Sequence, residues 1–387
     1  METTTIGVLG SDWRASVTPT GAIEYGNDER LDWWVAADDR WHDPAVEATV
    51  RQACLGGTPV VETRVRVPQG DVIQRVYAVA DHGGFTILEF ENASPLPVAV
   101  ALGPADLAFV RPPSTGAATG IELPAGSTVH PMGHRSVIRI GLRHRGGSNE
   151  PLPADLPPVL AVQRGWETQV RRAGRVVLPD EAWVDAVTAA RCEVALVGLD
   201  DPTSDPVRFL LGAHELARLG ADVAPWVGEI ATAAERIARS GSFGWAEDRA
   251  LLAAGAMFAA DDDHRAVADV ERLRIGAGAR RSAALAVPPG ITAVAWVEDQ
   301  LARPRPGAVV DLLPNGVPSG WEGQNFEAHG LPAGPAHRLS YAVRWHGRNL
   351  AVLWELAGPG PLTMTASAVD PTWSSSEPAG EGLLRPA

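Results

Sequence analysis

The hydrophobic pattern changes its period twice along the chain, and a one-layer or all-helical fold cannot accommodate that. Val61, Thr63, Val65 and Val67 alternate with Glu62, Arg64 and Arg66, the period of two of a half-buried strand. Gln69-Gly70-Asp71 then supplies a turn, and Val72–Val79 continues as its hairpin partner. Phe85–Phe90, Leu96–Leu102 and Ile138–Leu142 repeat the pattern between turn residues. Short strands at this spacing predict a sandwich. The Pro-rich stretch Pro151–Pro158 reads as a crossing or linker.

After Pro179 the period becomes helical. Trp183, Val187, Ala190, Val194 and Val197 step by three and four, one face of an amphipathic helix. Asp205 followed by Pro206 opens a second helix, and Gly220 stops it. Further helices are expected over Val223–Arg239, Ala246–Ala260 and Asp263–Leu273, and the short loops between them predict antiparallel hairpins. Gly244–Arg249 reads as a helix opening and Asp261–His264 as the cap of the helix that follows. Ile291–Leu301 fits either helix or strand. The period of two returns in Leu339, Tyr341, Val343 and Trp345, then in Leu350, Val352, Trp354 and Leu356, with Gly347-Arg348-Asn349 as the turn between them. The expected organisation is an α+β multidomain chain: an antiparallel β-sandwich over 1–178, a helical hairpin region over 179–287, and an antiparallel β-rich domain over 288–387.

Composition narrows the function classes. A length of 387 residues suits two or three domains. A net charge of −14 argues against nucleic acid or an anionic membrane surface as partner, since both are held by clustered positive charge. All 33 basic residues are Arg, so no lysine is available for a Schiff base or a phosphate anchor. Cys54 and Cys192 stand far apart, which implies neither a disulfide framework nor a zinc site. Met1–Trp13 lacks the basic start and apolar run of a secretory signal. No apolar stretch approaches the ~20 residues of a membrane span, so a cytoplasmic location is expected. Gly-x-Ser-x-Gly, Walker, Gly-x-Gly-x-x-Gly and His-Glu-x-x-His motifs are absent, and neither a cofactor nor a metal is expected.

The aromatic content gives the positive indication. There are 13 Trp against 7 Phe and 3 Tyr, several beside charged residues. An indole offers a flat apolar face and one N–H donor, a surface suited to sugar rings. Trp183, Trp345 and Trp354 fall on the inward faces of their elements and read as packing. Trp321 stands in the segment Gly320–Gly330, where acids, amides and a histidine lie between glycines; such loops commonly carry function. Glycosidic cleavage uses one protonated and one ionised carboxyl roughly 5–9 Å apart, and Glu322 and Glu327 are the candidates for that pair. Trp321 would stack on the substrate, and His329, Arg344 and His346 would bind hydroxyls. Trp41, in the polar patch Asp38–Asp43, is a more distant candidate. Each has a plain structural alternative: a solvated loop around Trp321, a surface Arg344–Glu355 ion pair, and an ion-paired turn at Asp38–Asp43.

Arg40-Trp41-His42, Pro68–Asp71 with Gln74-Arg75, and Ser340–Glu355 with Arg344-Trp345-His346-Gly347 resemble actinobacterial glycoside-hydrolase-like proteins of the six-hairpin class. The resemblance spans most of the chain. It implies an N-terminal β-sandwich joined to an α/α toroid, and an activity on an oligosaccharide or other polyhydroxylated small molecule. The helical stretch over 179–287 is shorter than that toroid, which implies a reduced toroid or a separate small bundle. No catalytic residue of the family is matched in position. The expected function is therefore a glycosidase, a non-catalytic sugar-binding or regulatory relative, or a structural interaction module.

Overall fold

In the computed structural model the chain is described over residues 3–116, 118–146, 150–241, 243–277 and 286–386. It divides into two compact units, Met1–Glu167 and Thr168–Ala387.

The first unit is built on a six-stranded antiparallel sheet. Its spatial order is Leu107–Phe109, Val137–Arg143, Phe85–Asn92, Gly70–Val79, Val61–Val67 and Arg51–Cys54. Val65, Val76, Leu88, Phe90 and Ile140 on one face pack against Ile6, Val17, Ile23, Trp33 and Val100 from two four-stranded sheets, which makes the expected sandwich core. The other face carries Tyr77, Phe85 and Ile87, covered by Leu152 and Leu156. The Pro-rich stretch thus closes a second small core, and Tyr77 Oη donates to the Pro157 carbonyl at 3.4 Å.

That second face changes the reading of strand Val61–Val67. Glu62 is buried, at 8% exposure, where a solvated face was expected. Registered cross-strand pairing aligns Glu62, Arg75, Glu89 and Arg139 in one row. Arg75 Nε lies 2.8 Å from Glu62, and Arg139 Nε 2.8 Å from Glu89. Alternating signs let charges enter a covered face that an unpaired carboxylate could not.

The expectation of β-structure up to 178 fails at its end. Helix α1 spans Val159–Val170, with Val159, Val162, Trp166 and Val170 at helical spacing. The Pro158 carbonyl accepts its first N–H groups, from Ala161 at 2.9 Å and Val162 at 3.3 Å. The strand that follows, Arg175–Val177, pairs with Phe326–Gly334 and so belongs to the second unit.

The second unit holds α2 (Glu181–Val197), α3 (Pro206–Leu219), α4 (Val227–Arg239), α5 (Trp245–Ala260), α6 (His264–Ala277) and α7 (Thr292–Leu301). The undecided segment is therefore the helix α7. Asp205 Oδ1 caps α3 by accepting from Arg208 N–H at 3.0 Å. Gly220 ends that helix at φ 105°, a conformation that favours glycine. Five strands form an antiparallel sheet in the order Arg175–Val177, Phe326–Gly334, His337–His346, Asn349–Ala357, Ala379–Leu384. A second sheet contains one parallel pairing, Val309–Leu312 with Thr363–Ala366, where only antiparallel pairs were expected.

Helices and sheets of this unit share one core. Leu210, Ala233, Ala254 and Val297 from the helices pack in the same cluster as Val310, Leu331, Leu339 and Val352 from the strands. The anticipated division at 288 does not separate two cores, because the helical faces close on the sheets rather than on one another alone. Among the described residues no helix is long and apolar enough to cross a membrane.

Candidate functional site

The residues that the sequence singled out do not meet in one cleft. Trp321 is a core residue at 3% exposure. Its ring centroid lies 5.2 Å from that of Trp183 and 5.1 Å from that of Phe326, so it presents no face to a sugar. Glu322 is exposed on the loop, where its Oε2 accepts from its own neighbour Gly320 N–H at 3.0 Å. His346 is exposed at the tip of the hairpin, opposite Asn349. Trp41 lies in the first unit and donates through Nε1 to the Thr119 carbonyl at 2.9 Å. Beside it, buried His42 sits 3.0 Å from Asp39 and 3.1 Å from Glu47, and Arg40 Nη1 lies 2.5 Å from Glu47, an ion-paired turn.

Three of the predicted residues do come together. Glu327 alternates with buried Phe326 and Ala328, so its carboxylate is on the outer face of the sheet. There it receives Arg344 Nη2 on Oε1, with His329 Nε2 at 3.2 Å and Arg175 Nη2 at 3.4 Å from Oε2. Arg344, then His329, hold the Glu327 carboxyl below the usual carboxylate range. An ionised, ion-paired Glu327 is a poor general acid. The expected Arg344–Glu355 pair is also replaced. Register sets Arg344 opposite Ala351 and Glu355 opposite Ser340, so the near carboxylate is Glu327.

A charged framework that the sequence did not reveal lies inside the helical layer. Arg191 from α2 places Nε 2.8 Å from Glu215 and Nη2 3.2 Å from Glu298. Arg218 uses one nitrogen, Nη1, for both Glu215 and Glu298, the latter at 2.8 Å. Backbone carbonyls complete the set, Gly174 O accepting from Arg191 at 2.8 Å and Gly330 O from Arg218 at 3.1 Å. Burial raises both carboxyls. For Glu215 the field of Arg218 and Arg191 outweighs it and keeps the group ionised, whereas the Glu298 carboxyl stays above its ordinary value. Two cations thus face two acids, drawn from three helices: Arg191 from α2, Glu215 and Arg218 from α3, and Glu298 from α7.

Above this framework opens a cleft of ≈ 400 Å³ between the end of α3, the end of α5 and the hairpin at Pro332–Arg338. His214, Arg218, Asp222, His337 and Arg338 supply its polar wall, with alanines and prolines around them. Arg218 Nε and His337 Nε2 are buried and have no hydrogen-bond partner. The Arg338 guanidinium makes no hydrogen bond or ion pair among the described residues. Enclosure by the cleft, then the nearby Arg218, weaken its hold on its proton. Burial and then Arg218 push His214 down to about 3, so its imidazole is neutral. Asp222, the acid of the wall, is tied to its own turn through Ala224 N–H at 3.1 Å.

Two other concavities are less suited to a ligand. A void of ≈ 40 Å³ lined by Glu215, Arg249, Glu298 and Asp299 is of a size for solvent rather than for a metabolite. In the first unit a depression of ≈ 600 Å³ surrounds Trp13 and His144. Those rings stack at 3.6 Å and 10°, which occupies one face of the indole. Among the described residues no group of three or more His, Cys, Asp or Glu could hold a metal ion. No family model, curated protein or solved structure matches the chain.

Proposed function

We propose that the protein is a non-catalytic binding protein for a polyhydroxylated small molecule of the sugar class, taken up in the cleft between α3, α5 and the Pro332–Arg338 hairpin. The observation that carries this reading is a cleft of ligand size whose wall presents the Arg338 guanidinium without a hydrogen-bond or ion-pair partner among the described residues. Buried donors and acceptors are nearly always partnered, yet Arg218 Nε and His337 Nε2 are not. A volume of ≈ 400 Å³ falls in the roughly 300–1,000 Å³ range of small-molecule pockets. Hydroxyl groups both donate and accept, so they fit a wall of neutral imidazole and guanidinium. The resemblance to glycosidase-like chains favours the same ligand class. Binding rather than hydrolysis is favoured because Arg344 and His329 hold the Glu327 carboxyl ionised, which leaves it a poor general acid.

The test is calorimetric titration with a panel of neutral and acidic mono- and oligosaccharides, run beside an assay for new reducing ends. The reading expects saturable binding by at least one sugar and no release of reducing ends. Hydrolysis that disappears in Glu322→Gln or Glu327→Gln would instead establish a glycosidase. Absence of binding across the panel would remove the sugar class.

A further inference from the structure

We infer that the cleft contains a subsite for an anionic substituent, a carboxylate or phosphate on the bound molecule, formed by Arg338 and His337 at its rim and Arg218 at its floor. Resting on the binding role proposed above, this adds a requirement on the ligand's charge. The buried framework closes on itself, Arg191 and Arg218 against Glu215 and Glu298. Arg338 has no ion pair with this framework, although Glu215 and Glu298 act on it from a distance as well as Arg218. It faces the cleft with no carboxylate in contact among the described residues, while Arg218 lies close enough to act on it electrostatically. Arg218 repels the Arg338 guanidinium, Glu215 and Glu298 offset part of that, and an incoming anion would supply the direct counter-charge that Arg338 lacks.

The donor set fits an anion in kind. A guanidinium presents a planar fork that matches carboxylate and phosphate oxygens. Arg218 and His337 line the same cleft; Arg218 Nε and His337 Nε2 are closed off and lack partners, so they would add donors only where the side chains shift toward the anion, His337 in the tautomer that protonates Nε2. A neutral sugar could hydrogen-bond to Arg338. It would leave the charge of Arg338 without a direct counter-charge. Asp222 is the opposing charge of the wall, and its tie to Ala224 N–H holds its carboxylate in its own turn.

The experiment uses the full chain and four probes: glucose, glucuronate, glucose 6-phosphate and inorganic phosphate, each titrated calorimetrically against wild type, Arg338→Ala and Arg338→Lys. Arg338 is an exposed side chain, and circular dichroism with thermal melts checks that both variants remain folded. Expected is binding of glucuronate or glucose 6-phosphate at least about tenfold tighter than glucose, lost in Arg338→Ala and partly kept in Arg338→Lys. Preference for glucuronate over the phosphate, or the reverse, identifies the anion. Equal binding of glucose and the charged sugars in wild type overturns the anionic subsite and leaves the sugar-binding role intact. Binding of inorganic phosphate alone, dependent on Arg338, upholds the subsite and ends the sugar reading. Binding of none of the four overturns the subsite.

Discussion

Arg218 Nη1 lies 2.8 Å from Glu298 Oε1, a contact that joins α3 to α7 beneath the cleft. The same nitrogen also serves Glu215, so one guanidinium keeps two buried carboxyls from facing each other uncompensated. Breaking a buried pair by removing one partner costs about 3–5 kcal/mol, because the abandoned charge stays buried. Arg218→Ala should destabilise the second unit by about that much, seen as an earlier transition in denaturant unfolding followed by tryptophan fluorescence. An unchanged midpoint would mean that the framework is solvated and contributes little.

Gly174 lets that framework close. It has φ 130°, and a Cβ there would stand 2.8 Å from the His329 carbonyl and 3.0 Å from Arg218 Nη2. Gly174→Ala should therefore cost more than about 1 kcal/mol, the scale of an alanine forced into a positive-φ site. The readout is the same unfolding transition, and a neutral or stabilised variant would show that the backbone adjusts freely.

Trp321→Ala separates packing from binding. A buried aromatic truncated to alanine loses about 3–5 kcal/mol, and Trp321 packs against Trp183 and Phe326. Stability should fall by that order while sugar affinity of the protein that remains folded is unchanged. Affinity that falls with stability unaffected would return Trp321 to the role of a stacking platform.

Acid should weaken the second unit through His214. Its folded value is down to about 3 against an ordinary 6.5. Between these values the unfolded chain binds a proton that the native one does not, so stability is complete above 6.5 and is lost as pH falls through that window. The slope is at most about 1.4 kcal/mol per pH unit. Glu298 acts in the opposite sense, since its raised carboxyl weakens the fold as pH climbs above its ordinary 4.5. His214→Gln should flatten the acid-side loss when unfolding is measured from pH 6.5 down to about 4. An equally steep loss in that variant would assign the effect to other groups, such as His130 and His144, both pushed down to about 4 by burial in the first unit.

Glu327→Gln should do little. Its partners Arg175 and Arg344 are exposed at 49% and 41%, and such surface pairs are worth under about 1 kcal/mol. A large loss of ligand affinity in this variant would move the binding site to the outer sheet face.

The alternation that betrays strands and the three-to-four spacing that betrays helices were sufficient for the architecture. Both act through local periodicity, which is why the Leu339–Leu356 hairpin and the helices from Trp183 onward are readable in one dimension. Helix α1 carries the same signal in Val159, Val162, Trp166 and Val170, masked by the Pro-rich run before it. Glu62 and Arg75 look like solvent-facing residues of an amphipathic strand, because nothing local reveals that Leu152 and Leu156 cover part of that face. The cleft was illegible for a related reason. Arg218 lies far in sequence from the adjacent His337 and Arg338, and each resembles an ordinary solvent-facing side chain. Their significance rests on which atoms are left without partners once the chain has closed. Trp321 failed in the other direction, since a polar, glycine-flanked neighbourhood in sequence became an aromatic core in space.

Crystals soaked with glucuronate test the proposed site most directly. Density for the sugar is expected in the cleft of ≈ 400 Å³, with its carboxylate against Arg338 and His337. Density confined to the Trp13–His144 depression or to the sheet over Glu327, with the cleft empty, would contradict it.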